Sequence, residues 1–185
     1  MTRRKNLDRY LDERTILYWD VPLNGLPDDE RDLLLRAREA TKVSHSPYSR
    51  FRVGAAVLLS DGQIVTGANQ ENASYGLTVC AERTTIFATW NLGRKDIVKL
   101  AVTGRTAAAS EGKEFSVDEY RSDADPASPC GACRQVIKEA EDRHGEPMII
   151  LVDAYNDERI RRLVGIESIM PWGFSGKDFG MDLNG

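Results

Sequence analysis

The chain has 185 residues, the length of one domain with short appendages and too few for two full domains. Its 41% hydrophobic content, with 15 glycines besides, is that of an ordinary globular chain able to bury a sizeable core. A formal charge of −4 disfavours a nucleic-acid backbone or an anionic membrane as the main partner and fits a small or neutral ligand.

The N-terminal Met-Thr-Arg-Arg-Lys-Asn-Leu-Asp leads into no apolar run of signal-peptide or membrane-spanning length, so a cytoplasmic location is expected. Residues 1–26 are mixed in charge and read as an appendage, with a short amphipathic helix over 5–14. From Pro27-Asp28-Asp29-Glu30 a helix starts, with Leu33, Ala37 and Ala40 at helical spacing and an end near Val43. Beyond the Ser-His-Ser-Pro-Tyr-Ser turn at 44–49, Phe51, Val53, Ala55, Val57 and Leu59 alternate as a strand. Asp61-Gly62 turns the chain into a return strand from Gln63 to Ala68. Cys80 to Asn91 reads as a buried helix, Ile97 to Thr103 as a strand, and 104–127 as a long acidic loop with a Ser116-x-x-Glu119 capping box. Cys130 to Glu141 is a further helix, Met148 to Val152 a strand, Ile166 to Met170 a short helix, and the tail runs from Pro171. This order predicts an α/β fold, a mixed sheet with helices on both faces.

The cysteines carry the sharpest signal. Cys130 and Cys133 stand three apart at one helix start and Cys80 at another, so three thiolates can converge on one centre. In a reducing compartment, three cysteines speak for metal or redox chemistry before disulfides. Structural zinc sites use four protein ligands and catalytic sites three, and neither His45 nor His144 keeps a normal zinc-ligand spacing to a cysteine, so the set leans toward catalysis. Glu82, two residues past Cys80, sits where a carboxylate can reach a metal-bound water as general base without ligating the metal. Arg83 and two helix N-termini can offset the negative charge of such a centre.

The runs Phe51-x-Val53-Gly54-Ala55-Ala56, Gly67-Ala68-Asn69-Gln70-Glu71-Asn72-Ala73-Ser74-Tyr75, Cys80-Ala81-Glu82-Arg83 and Pro129-Cys130-Gly131-Ala132-Cys133-Arg134-Gln135 resemble, in this order, the small homotetrameric cytidine deaminases. The likeness extends over about residues 30 to 178. It implies a three-layer α/β/α fold with a mixed five-stranded sheet, a catalytic domain at 27–185 and an insert loop at 104–127. It further implies one zinc ion per subunit and hydrolysis of cytidine and 2′-deoxycytidine to the uridines with release of ammonia, a step of pyrimidine salvage. In the family's scheme Glu82 carries the water proton to N3 and then to the departing amine. Asn69 and Glu71 hold the ribose 3′-hydroxyl, Phe51 packs near the pyrimidine and the Ala81 amide contacts the base. Ala73 and Tyr75 are lent to a neighbouring subunit's pocket, and Phe174 is an aromatic near the bound ring, so the homotetramer shares its sites. The chain departs from the pattern in the wide interval between Cys80 and Cys130, in residues 1–26 and in Trp172-Gly173.

A nucleic-acid-editing deaminase would need basic patches and stacking surfaces that the acidic balance disfavours. A blasticidin-type deaminase lacks the Asn-x-Glu-Asn-Ala run of 69–73. A zinc-stabilised assembly module would be indifferent to Glu82. Gly173-x-x-Gly176-Lys177 lacks both the first glycine and the following Ser or Thr of a phosphate-binding loop.

Overall fold

Three acids, Asp28, Asp29 and Glu30, occupy the first turn of α1 (Asp28–Ala40), where they complement the positive end of the helix. A computed structural model describes residues 16–106, 126, 128–153 and 157–183. Besides α1 it contains β1 (Tyr18–Val21), β2 (Phe51–Leu59), β3 (Ile64–Ala68), α2 (Ala81–Asn91), β4 (Ile97–Thr106), α3 (Gly131–His144), β5 (Ile149–Asp153) and β6 (Ile160–Val164). The expected helix over 5–14 and the Ser116 capping box lie outside the described residues. Of the expected short helix at 166–170, one 3-10 turn forms, Ile166–Ser168.

The strands form one mixed sheet in the order β1-β6-β5-β4-β2-β3, with β4 and β5 parallel and every other neighbouring pair antiparallel. The expectation of five strands is corrected to six. The additional strand is β1, from the segment read as an appendage, and it adds to β6 at the sheet edge with Asp20 opposite Arg161. The Asp20 carboxylate accepts from Arg159 Nε at 2.8 Å and Arg161 Nε at 3.0 Å, and the Arg161 guanidinium lies 4.4 Å above the Tyr18 ring. These contacts anchor a four-residue strand whose own side chains are largely exposed.

Period-two alternation divides β2 between two apolar layers. Ala55, Val57 and Leu59 pack with Ile86 of α2 and Ile137 and Ala140 of α3, whereas Ala56 and Leu58 pack with Leu33, Leu34 and Ala37 of α1. The layers are therefore α1, the sheet, and α2 with α3. Gly54 sets how closely α1 approaches: a Cβ there would lie 2.1 Å from the Ala37 carbonyl oxygen. Beneath α1 the buried Glu30 carboxylate accepts from Lys99 of β4 at 2.9 Å and from Arg162 of β6 at 2.9 and 3.1 Å.

The register brings the functional segments together. Gly54 pairs with Ala68 on one side and Thr103 on the other, so the start of β2, the end of β3 and the end of β4 lie together at one end of the strands. The chain leaves that end from β3 towards α2. A bridge between Gln70 and Val79 closes the intervening loop and delivers Cys80 beside Asn69 and Glu71 in the chain's path.

Candidate active site

Cys80 is the residue capping the N-terminus of α2 and Cys130 the one capping α3, both in extended conformation, with Cys133 buried one turn further along α3. The helix ends thus present their unpaired amides around the sulfurs, a favourable setting for thiolates. Cys80 Sγ lies 3.8 Å from Cys130 Sγ, which lies 3.5 Å from Cys133 Sγ, and all three sulfurs fall within 4.8 Å of one another. Tetrahedral zinc with ligands at about 2.3 Å has sulfur–sulfur edges of about 3.8 Å, so the donor set fits that ion in chemistry and spacing. With three protein donors, one tetrahedral position is left for another ligand.

A hydrogen bond from Cys133 lowers the Cys80 thiol to about 5 against the opposing effect of burial, with Arg83 and Cys130 assisting. The same contact, together with burial, pushes the Cys133 thiol upward. Arg83 Nη2 donates to the Thr78 carbonyl at 3.0 Å and to Cys80 Sγ at 3.9 Å, which places its positive charge beside the sulfurs. Glu82, the second residue of α2, is only 4% exposed. Burial pushes its carboxyl above the ordinary value and the Cys80 charge adds to this, while its own amide and the Cys133 thiol act in the opposite sense. A buried carboxyl with a raised affinity for protons can both accept and return one near neutral pH.

Beside this centre, the Asn69 side-chain amide ties the start of β2 to the turn before it. Its Nδ2 donates to the Phe51 carbonyl at 2.9 Å, and its Oδ1 accepts from the Val53 amide at 2.8 Å and from Ser44 Oγ at 2.6 Å. Glu71 Oε2 accepts from the Tyr48 amide at 2.9 Å and the Ser49 amide at 3.2 Å, and Oε1 accepts from Ser49 Oγ. The Phe51 ring fits against Gly104 of β4, where a Cβ would stand 2.6 Å from Cζ.

The family model described as the cytidine and deoxycytidylate deaminase zinc-binding region matches residues 27–145. The chain belongs to this deaminase family. A cytidine deaminase of Halalkalibacterium halodurans is 45% identical over 111 residues, 60% of this chain and 71% of that one. One from Sporosarcina psychrophila is 37% identical over 81% of this chain and 94% of its own. Among solved structures, a cytidine deaminase from Burkholderia pseudomallei aligns with a TM-score of 0.59 at 32% identity, covering 77% of this chain and 97% of that one. The cytidine deaminase from Mycobacterium tuberculosis aligns with a TM-score of 0.55 at 31% identity, over 80% and 99%.

The metal of this deaminase is zinc, in keeping with the family's zinc-binding region and the cysteine cluster. Cys80, Cys130, Cys133, Glu82 and Arg83 stand together, with Ala81 buried as the first residue of α2. Phe51, Asn69 and Glu71 form a second group tied to β2. Ala73 and Tyr75 lie exposed in the loop beyond Glu71, Tyr75 meeting the Tyr48 ring edge to face at 5.5 Å. Phe174 is 66% exposed and packs on Phe179, and its carbonyl accepts from Gln135 of α3 at 2.8 Å. Sequence reasoning overlooked Ser44, Tyr48 and Ser49, treating 44–49 as a turn alone. Ser44 and Ser49 in front of Phe51 were the available signal, since serine side chains in turns bond nearby polar groups. Among the described residues, no helix is long and apolar enough to cross a membrane.

Proposed function

We infer that this deaminase hydrolyses cytidine and 2′-deoxycytidine to uridine and 2′-deoxyuridine with release of ammonia, in pyrimidine salvage and in the cytoplasm. The observation that carries the reading is the buried Glu82 carboxylate at the start of α2, beside three thiols that converge from two helix N-termini. Zinc held by Cys80, Cys130 and Cys133 supplies the charge that makes a water molecule acidic near neutral pH.

Glu82 accepts the proton that water gives up and passes it to N3 of the base, which renders C4 electrophilic. As the C4–O bond forms and the C4–N bond breaks, the same carboxylate carries a proton to the amine, which leaves as ammonia. Arg83 offsets the thiolate charge, and the first amides of α2, at Ala81, donate to the base. Phe51 packs against the pyrimidine, and Asn69 and Glu71 recognise the ribose 3′-hydroxyl, a neutral ligand in keeping with the chain's net charge of −4. We also assign Ala73, Tyr75 and Phe174 to the pocket of an adjacent subunit in a homotetramer. The exposure of Tyr75 and Phe174 supports this, because exposed apolar side chains are candidates for burial between subunits.

Loss of cytosine absorbance on mixing zinc-loaded protein with cytidine tests the activity, with Glu82→Gln as the blank. The expected result is loss with the wild type alone. No loss with zinc-loaded wild type would overturn the reading.

A further inference from the structure

Ser49 joins the two parts of the pocket through one hydroxyl. Its Oγ donates to Glu71 Oε1 and accepts the Phe51 amide at 3.0 Å. The far side of Phe51 is held as well, its carbonyl accepting from Asn69 Nδ2 at 2.9 Å. The peptide groups on either side of the ring-bearing residue are thus anchored, one through Ser49 to Glu71 and the other to Asn69. Between Ser49 and Phe51, Arg50 has φ +57°, a left-handed conformation uncommon for a residue with a side chain, while its amide donates to the Ser46 carbonyl at 3.0 Å. A backbone kept in that region by surrounding hydrogen bonds marks a turn whose geometry is constrained from several sides.

Building on the assignment of Glu71 to the ribose and Phe51 to the base, we propose that Ser49 is a positioning residue. By bridging the Glu71 carboxylate and the Phe51 amide, its hydroxyl fixes the ribose-recognising group relative to the aromatic ring beside the pyrimidine. Without the hydroxyl, one Glu71 oxygen loses its tether and the Phe51 amide its acceptor. The nucleoside then has to arrange both groups itself on binding, so the effect falls on KM before kcat.

The test compares wild type, Ser49→Ala and Ser49→Thr on cytidine and on 3′-deoxycytidine, which lacks the hydroxyl Glu71 accepts. Wild type should prefer cytidine. Ser49→Ala should raise KM for cytidine about five- to tenfold, the net worth of one ordinary hydrogen bond. Its kcat should stay within about twofold, and its preference for cytidine over the 3′-deoxy analogue should shrink towards parity. Ser49→Thr, which keeps the hydroxyl, should restore the preference. Because the readout is a ratio between two substrates, it does not depend on the folded fraction of the variant. If Ser49→Ala does not fold, Ser49→Cys, a weaker donor of similar shape, gives the same comparison. A variant that loses the same factor on both substrates overturns the proposal alone. A wild type indifferent to the 3′-hydroxyl overturns the placement of Glu71 at the ribose and this proposal with it.

Discussion

Glu82 and Glu30 are both buried glutamates whose surroundings push their protons in opposite directions. Glu82 has burial and a thiolate against it and is held above the ordinary range. For Glu30 burial acts the same way, but hydrogen bonds and charge from Arg162 and Lys99 more than offset it and hold the carboxyl below its ordinary value of 4.5. Replacing each by glutamine separates catalysis from stability. Glu82→Gln should lower kcat by about 10²–10⁴-fold, the usual worth of a general acid–base group. Its zinc content and melting temperature should be no lower than wild type, since the change removes a desolvated charge without altering shape; metal analysis and thermal unfolding check this. Glu30→Gln should instead leave Arg162 facing a neutral amide, while Lys99 keeps Asp29 at 2.7 Å, and cost about 2 kcal/mol in urea unfolding, with kcat and KM retained in the folded fraction. The pH dependence follows from the sign of the shift. Because the folded state binds the Glu30 proton more weakly than the unfolded chain, its contribution is fully present above about pH 5.5 and is lost as the pH falls through 4.5 towards the lower folded value. Urea unfolding from pH 7 to pH 3 should therefore show a steeper decline for wild type than for Glu30→Gln.

At the scale of elements, the zinc ion is the proposed tie between two helix starts. Removing it leaves three sulfurs within 4.8 Å of one another at the N-termini of α2 and α3, with Arg83 and the helix amides beside them. Chelation should abolish activity and lower the melting temperature by about 5–10 °C, with both restored by stoichiometric zinc. An unchanged melting temperature would mean that the helix packing around Ile86 and Ile137 suffices without the tie. This arrangement was legible in the sequence because metal-ligand spacing and helix-start chemistry are local, and α2 and α3 begin directly after the cysteines. The same holds for the β2–β3 hairpin, whose alternation and turn lie within one stretch of chain. β1 and β6 were not legible. In β6 the pair Arg161-Arg162 disguises the alternation, because Arg162 points to the α1 face to meet Glu30 while Arg161 meets Asp20 of β1. Those partners lie more than a hundred residues away, so no local pattern reveals them. Ser49 escaped for a related reason: its partner Glu71 is reached through space, and a serine in a turn reads locally as turn chemistry.

For the whole molecule, the proposed sharing of sites gives a test that no single chain can pass alone. Exposed Val43, Tyr75 and Leu77 border the loop between Glu71 and Cys80, and exposed Trp172, Phe174 and Phe179 crowd the segment beyond β6. If these surfaces meet in the homotetramer, each pocket draws Glu82 and zinc from one subunit and Phe174 from another. Two defective chains should then repair each other. Glu82→Gln retains Phe174 but has no acid–base group, whereas Phe174→Ala retains Glu82 but lacks the aromatic lent to its neighbour and should lose most activity through KM. Mixed by unfolding and refolding together, the two should form some pockets that combine an intact Glu82 with an intact Phe174. Activity should therefore rise above that of either variant refolded alone, in assemblies of about four times the chain's 20.7 kDa by light scattering. The gain should follow the mixing ratio and be greatest near equal amounts, since pockets with both intact groups are then most numerous. Activity no higher than the separate contributions, in mixtures shown to exchange subunits, would place Phe174 in its own subunit's pocket and remove the reason for the assembly to be obligatory.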